Sequence, residues 1–188
     1  MTSDQRPGGR SAIVITASDR SAEGSREDAS GAAVAVRLAQ LDLEVERMVV
    51  PDDQSRIEAT LVAAAARHGL VITTGGTGLT PRDVTPQATL AVIDYEVPGL
   101  AELMRAEGRR HTPMAALSRA VVGVRAGTLI VNLPGSPRGA LESLDALMPV
   151  LPHALETLAG PFDHARARSA GRDDLPASEP APDVSPAP

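Results

Sequence analysis

The chain has 188 residues, of which 43% are hydrophobic, enough for one domain with a sizeable core. Aromatic residues make up only 1%, which leaves no stacking platform for single strands, and a net charge of -6 argues equally against a nucleic-acid backbone as partner. Cysteine is absent, which excludes disulfides, thiol catalysis and thiolate-bound zinc. No apolar run is long enough to span a bilayer and the polar start is not a signal peptide, so the expectation is a cytoplasmic protein without a membrane partner.

In chain order, residues 1–10 are polar and glycine-containing and are expected to be disordered. Residues 12–16 read as a buried strand, 28–41 as a helix and 43–50 as an alternating strand. Residues 53–67 carry Ile57, Leu61, Val62 and Ala65 at helical spacing, and 70–73 form another buried strand. Helical pieces are expected at 86–93, 100–107 and 113–119. A β-hairpin is expected from 121–124 and 128–131 across Arg125-Ala126-Gly127, and two helices at 136–147 and 150–158 close the domain. Residues 163–188 are rich in Pro, Ala and Ser and are expected to be a disordered tail, leaving 11–162 as the domain. The alternation predicts an α/β fold with a doubly wound, mostly parallel sheet, helices on both faces and a small hairpin. Ligands of such sheets sit beyond the carboxyl ends of the strands, so the loops there are the places to search.

The richest of these loops is Thr74-Gly75-Gly76-Thr77-Gly78, followed by Pro81-Arg82-Asp83-Val84-Thr85-Pro86. Glycines there allow backbone N–H groups to turn inward as an anion cradle, although three loop glycines serve a tight turn equally well. No lysine follows the last glycine, so this is not a Walker A loop. Pro81 stands where a dinucleotide fingerprint needs its third glycine. After the first strand, Ser18 and Asp19 either cap a turn or meet a ligand, and Asp28 reads better as a helix cap. After the second strand, one of Asp52 and Asp53 is expected to cap a helix and the other is spare. Asp52 and Asp83 together make a candidate Mg²⁺ site when substrate phosphates supply further oxygens. Pro134-Gly135-Ser136 is either good turn chemistry or the lining of a base or phosphate pocket, and Arg119 is either a helix-end charge or an anion contact. His68, His111, His153 and His164 share no ligand spacing.

These blocks, with Asp28-x-Ser30-Gly31, Glu96-x-Pro98-Gly99, Leu117-Ser118-Arg119 and Asn132-Leu133-Pro134-Gly135-Ser136-Pro137, resemble the MogA/MoaB family of molybdenum-cofactor biosynthesis, which includes a domain of gephyrin. The resemblance runs over residues 11–160. It implies a doubly wound fold, a homotrimer, and adenylyl transfer from ATP to molybdopterin, with hand-off to a molybdenum-inserting enzyme. It puts Asp52 and Asp83 on the Mg²⁺-binding catalytic aspartates. It implies a substrate surface made of the loop Gly75, Gly76, Thr77 and Gly78, of Ser118, and of the loop Pro134, Gly135 and Ser136; Ser18, Asp19, Thr74, Arg82 and Arg119 beside these blocks are further candidate substrate contacts. The Pro81 to Pro86 block looks closer to the adenylyltransferase branch than to the MoaB branch. The competing readings are a non-catalytic pterin-binding module and a trimeric scaffold.

Overall fold

A computed structural model describes residues 11–160, so the expectations for 1–10 and 163–188 lie outside the described residues. Strands β1 (Ser11–Ala17), β2 (Glu44–Val50), β3 (Leu70–Thr74), β4 (Tyr95–Glu96), β5 (Val122–Arg125) and β6 (Thr128–Leu133) form one six-stranded sheet in the order β2-β1-β3-β6-β5-β4. The first four in that order are parallel, while β5 runs antiparallel to β6 and β4 antiparallel to β5. The helices are α1 (Asp19–Ala22), α2 (Ala29–Leu38), α3 (Gln54–Ala65), α4 (Thr85–Val92), α5 (Pro98–His111), α6 (Pro137–Leu147) and α7 (Leu151–Ala159).

Successive strand residues point to opposite faces, so each central strand feeds two cores. Val14, Ile72 and Val131 pack with Val34 and Leu38 of α2, Met104 of α5 and Leu144 of α6. Ile13, Ile15, Val71 and Ile130 pack on the other face with Ile57 and Leu61 of α3 and Ala88 of α4. Both faces are covered, which is why the central strands are continuous apolar runs rather than alternating ones. The sheet is therefore doubly wound and the hairpin is present, as the alternation predicted. No helix among the described residues is long and apolar enough to cross a membrane.

Three local features differ from expectation. Asp19–Ala22 is a single helical turn capped by Ser18, too short to leave a periodic pattern. The two-residue strand Tyr95–Glu96 adds an edge that no alternation announces. Residues 113–119 do not form an α-helix: Pro113–Leu117 is a 3-10 turn, and Ser118 is extended after it. The chain straightens there because the Arg119 N–H goes to the Thr77 carbonyl, 3.0 Å away, and Val122 then enters β5.

Candidate functional site

Strand order makes the site. From β1 the chain crosses through α2 to β2 on one side, then returns through α3 to β3 on the other side of β1. The loops leaving β1 and β3 therefore part company between two neighbouring strands, at a topological switch point. Ala17 lies level with Val50, Thr16 with Thr74, and Thr74 with Leu133, so the loops after β1, β2, β3 and β6 emerge side by side.

Gly75 and Gly76 both have positive φ, +93° and +63°, a region that disfavours L side chains. A Cβ on Gly75 would stand 2.4 Å from the Ala17 carbonyl oxygen, and one on Gly76 would stand 2.3 Å from the buried Thr85 Oγ1. The turn thus requires both glycines for backbone reasons alone. The Gly75 N–H donates to the Leu133 carbonyl at 3.2 Å, and the Gly78 N–H supports the Asp83 carboxylate. This leaves the N–H groups of Gly76 and Thr77 without a partner among the described residues, so these are the amides of the loop that remain available to an anion. Gly135 packs on the same loop, where a Cβ would lie 3.1 Å from the Gly75 Cα.

The aspartates sort themselves by partner. Asp53 is the cap of α3, with its Oδ1 accepting the Arg56 N–H at 2.9 Å, and Asp52 is the spare. Asp52 and Asp19 exchange hydrogen bonds: the Asp19 N–H donates to Asp52 Oδ2 at 3.1 Å, and the Asp52 N–H donates to Asp19 Oδ1 at 2.9 Å. The second oxygen of Asp19 pairs with the Arg82 guanidinium. Burial raises the Asp52 pKa, and the nearby charges of Asp19 and Asp83 add to that; the Asp19 N–H and Arg82 oppose it without cancelling it. Asp83 is also partly desolvated, but the Thr80 hydroxyl and N–H, the Gly78 N–H and Arg119 outweigh this and lower its pKa. The Arg82 hydrogen bond and the Asp52 N–H lower the pKa of Asp19. Asp52 and Asp83, from loops after different strands, therefore sit in one electrostatic neighbourhood beside the glycine loop.

Arg119, read from the sequence as a helix-end charge or an anion contact, is engaged within the turn itself. Its Nε donates to the Gly78 carbonyl at 2.6 Å, and a second guanidinium nitrogen donates to the Asp83 carbonyl. With its own N–H on Thr77, it clamps the two ends of the turn that carries Arg82 and Asp83.

Two clefts flank the glycine loop. One, of about 320 Å³, is lined by Ser18, Asp28, Ser30, Thr74, Gly75 and Gly135 among others. The second, of about 280 Å³, is more apolar and lies against Thr77, Met104, Leu117, Ser118 and Pro134. Ser136, whose Oγ caps α6 through the Gly139 N–H at 3.2 Å, lines both. Asp19, Asp52, Arg82 and Asp83 belong to neither lining; Asp19 holds Asp52 and Arg82 together at the ends of the neighbouring loops.

Sequence reasoning missed the buried polar chain behind the first cleft. The Thr74 hydroxyl donates to Thr16 Oγ1 at 3.1 Å, and Thr16 donates to Asp28 Oδ1 at 2.9 Å. The Ser30 hydroxyl joins this chain, 3.2 Å from the Thr74 hydroxyl and 3.5 Å from Asp28 Oδ1. Asp28 also caps α2 through the Gly31 N–H at 2.8 Å and pairs with Arg47 of β2 at 2.8 Å. Burial raises its pKa, but Arg47, Gly31 and Thr16 more than reverse that. Thr74 is thus a structural hydroxyl already engaged. The only sequence signal was the run Asp28-x-Ser30-Gly31, which shows the cap and not the chain behind it.

Comparison with known proteins agrees with this geometry. Residues 13–153 match the family described as a probable molybdopterin binding domain. The chain is 39% identical over 154 residues to the molybdopterin adenylyltransferase of Helicobacter pylori strain J99, covering 79% of this chain and 88% of that one. It is 38% identical over 167 residues to the molybdopterin adenylyltransferase of Escherichia coli K12, covering 79% and 85%. Among solved structures, the molybdopterin biosynthesis enzyme MoaB of Thermus thermophilus is 52% identical with a TM-score of 0.76, over 80% of this chain and 97% of that one. With the family match spanning most of the sheet and the curated relatives covering nearly four-fifths of its length, the chain belongs to the MogA/MoaB family of molybdenum-cofactor biosynthesis proteins.

Proposed function

We propose that this protein is a molybdopterin adenylyltransferase, moving AMP from ATP to the terminal phosphate of molybdopterin with release of pyrophosphate. The curated relatives at 38–39% identity carry that name. The observation that carries the reading is the convergence of Asp52 and Asp83 beside the Gly76-Thr77 amides, at the point where the loops after β1 and β3 diverge. Two clefts that share Ser136 suit a reaction with two substrates.

Both carboxylates offer hard oxygen donors, and Asp52 is crowded by two other acidic side chains, an environment that a divalent cation relieves. No group of three or more His, Cys, Asp or Glu among the described residues is arranged to hold a metal alone, so substrate phosphates and water would complete the shell. Asp52 and Asp83 would hold Mg²⁺, which when bound supplies charge neutralisation at the transferred phosphate. An oxygen of molybdopterin's terminal phosphate attacks the α-phosphorus of ATP, a new P–O bond forms, and the bond to pyrophosphate breaks. The attacking oxygen is already anionic, so no side chain has to remove a proton. The N–H groups of Gly76 and Thr77 take up charge on the phosphate oxygens, and Arg119 keeps that turn in place.

The test is purified protein with molybdopterin and MgATP, following pyrophosphate release. Asp83→Asn is expected to keep the fold and lose most turnover, Asp52→Asn likewise, and the double variant to be little worse than either, because both serve one site. Near-wild-type turnover of Asp83→Asn with unchanged Mg²⁺ dependence would overturn the assignment. The competing reading, pterin binding without turnover, predicts molybdopterin binding and no pyrophosphate. Assembly as a homotrimer, a cytoplasmic location and hand-off to a molybdenum-inserting enzyme complete the proposal. The trimer and the hand-off rest on the family resemblance and the location on the composition of the sequence, and light scattering tests the first.

A further inference from the structure

We infer that Asp19 is a positioning residue whose single carboxylate sets the spacing between the loop carrying Asp52 and the loop carrying Asp83. The inference rests on the proposed metal-assisted reading of that pair. Asp19 Oδ1 accepts the main-chain N–H of Asp52 at 2.9 Å, which fixes the backbone from which the Asp52 side chain projects. Asp19 Oδ2 pairs with Arg82, the residue immediately before Asp83. The main chain of Asp19 adds a third link, donating to Asp52 Oδ2 at 3.1 Å. That bond occupies one oxygen of Asp52, whose Oδ1 accepts no bond from the described residues.

The arrangement divides the labour between the three aspartates. Asp53 caps its helix, so the turn it starts is already rigid. Asp52 precedes that cap in the three-residue link between β2 and α3, Pro51-Asp52-Asp53. Asp83 sits on a turn whose ends Arg119 clamps, which fixes the turn internally but does not tie it to β1 or β2. Asp19 supplies that missing tie. Both oxygens of Asp19 are engaged, which makes the residue a poor substrate contact as it stands. Its place in the loop at the carboxyl end of β1 made it a candidate ligand contact, and the geometry assigns it to the support of the two carboxylates instead.

The variants separate the two oxygens. Asp19→Asn keeps an oxygen for the Asp52 N–H but loses the charge that holds Arg82. Asp19→Ala loses both. Mn²⁺ binding in the presence of ATP, read by electron paramagnetic resonance, gives a measure independent of turnover. Asp19→Ala is expected to weaken Mn²⁺ binding by about tenfold or more, the usual effect of removing an outer partner of a metal ligand. Asp19→Asn is expected to fall between it and wild type. In the pyrophosphate assay the loss is expected in kcat and in the Mg²⁺ requirement, with the KM for molybdopterin nearly unchanged. A residue that only stabilised the fold would lower the melting temperature without this graded order or this split. Wild-type Mn²⁺ affinity in Asp19→Ala, or a raised KM for molybdopterin with unchanged kcat, would overturn the inference while leaving the adenylyl-transfer reading intact. Wild-type protein that releases no pyrophosphate would overturn that reading instead. The graded Mn²⁺ series would still support the positioning role in that case, and a flat series would overturn it.

Discussion

Gly76 illustrates how one residue can satisfy two readings of a loop. Its φ of +63° and the 2.3 Å approach of an added Cβ to Thr85 Oγ1 are demands of the turn, whatever binds there. Gly76→Val is therefore expected to destabilise the fold by about 2 kcal/mol or more, from strained backbone and a clash with a fully buried neighbour. The measurement is urea unfolding; an unchanged midpoint would mean that the turn relaxes freely. The anion reading depends on N–H groups rather than on the missing side chain, because those of Gly76 and Thr77 remain unpaired among the described residues. At this scale the sequence was legible where chemistry is local. Asp28 and Asp53 were readable as caps, since a cap reaches three residues along the chain. The bonds that assemble the site were not. Asp19 meets Asp52 across 33 residues, Arg119 meets Gly78 across 41, and Arg82 meets Asp19 across 63. No spacing rule covers such distances, because strand order alone decides them.

Among elements, the polar chain from Ser30 to Asp28 does more than line a cleft. Through Thr16 and Thr74 it ties the start of α2 to β1 and β3, and through Arg47 it ties the same helix to the edge strand β2. The pKa of Asp28 is lowered in the folded protein, so the unfolded chain binds its proton more tightly. The stability this group contributes is present above its unfolded value of about 4 and is lost as the pH falls through the lower folded value. Asp28→Asn keeps the cap but loses the charged partner of a half-exposed arginine, at an expected cost of about 1–2 kcal/mol near neutral pH. Measured by denaturant unfolding, the gap between the variant and wild type should close as the pH drops below about 4. A gap that stays constant into acid would show that the ion pair contributes nothing. Element types were legible wherever a period had room to repeat. The single turn Asp19–Ala22, the strand Tyr95–Glu96 and the 3-10 turn Pro113–Leu117 are all shorter than the patterns that would announce them.

At the scale of the whole molecule, an acidic chain of net charge -6 is proposed to bring two polyanions together. Long-range attraction cannot do this, so the work falls to groups fixed at the switch point: two amides, a divalent cation and the loop held by Arg119. Everything those groups depend on lies within the sheet and its two helical layers. The last helix of that framework, α7, ends at Ala159, and its buried Leu151 belongs to the core on the α2, α5 and α6 face. The family match ends at residue 153, and the curated relatives align to 79% of this chain. The Pro- and Ala-rich segment beyond Phe162 lies outside the described residues and beyond the family match, and its composition carries the expectation that it is dispensable. Truncation after Phe162 is expected to leave melting temperature, molar mass by light scattering and pyrophosphate release within error of the full chain. A truncated protein that changes its assembly would place an oligomer contact in the extension. One that keeps its mass but loses turnover would make the extension part of the reaction, and the site built by β1, β2, β3 and β6 would then be incomplete without it.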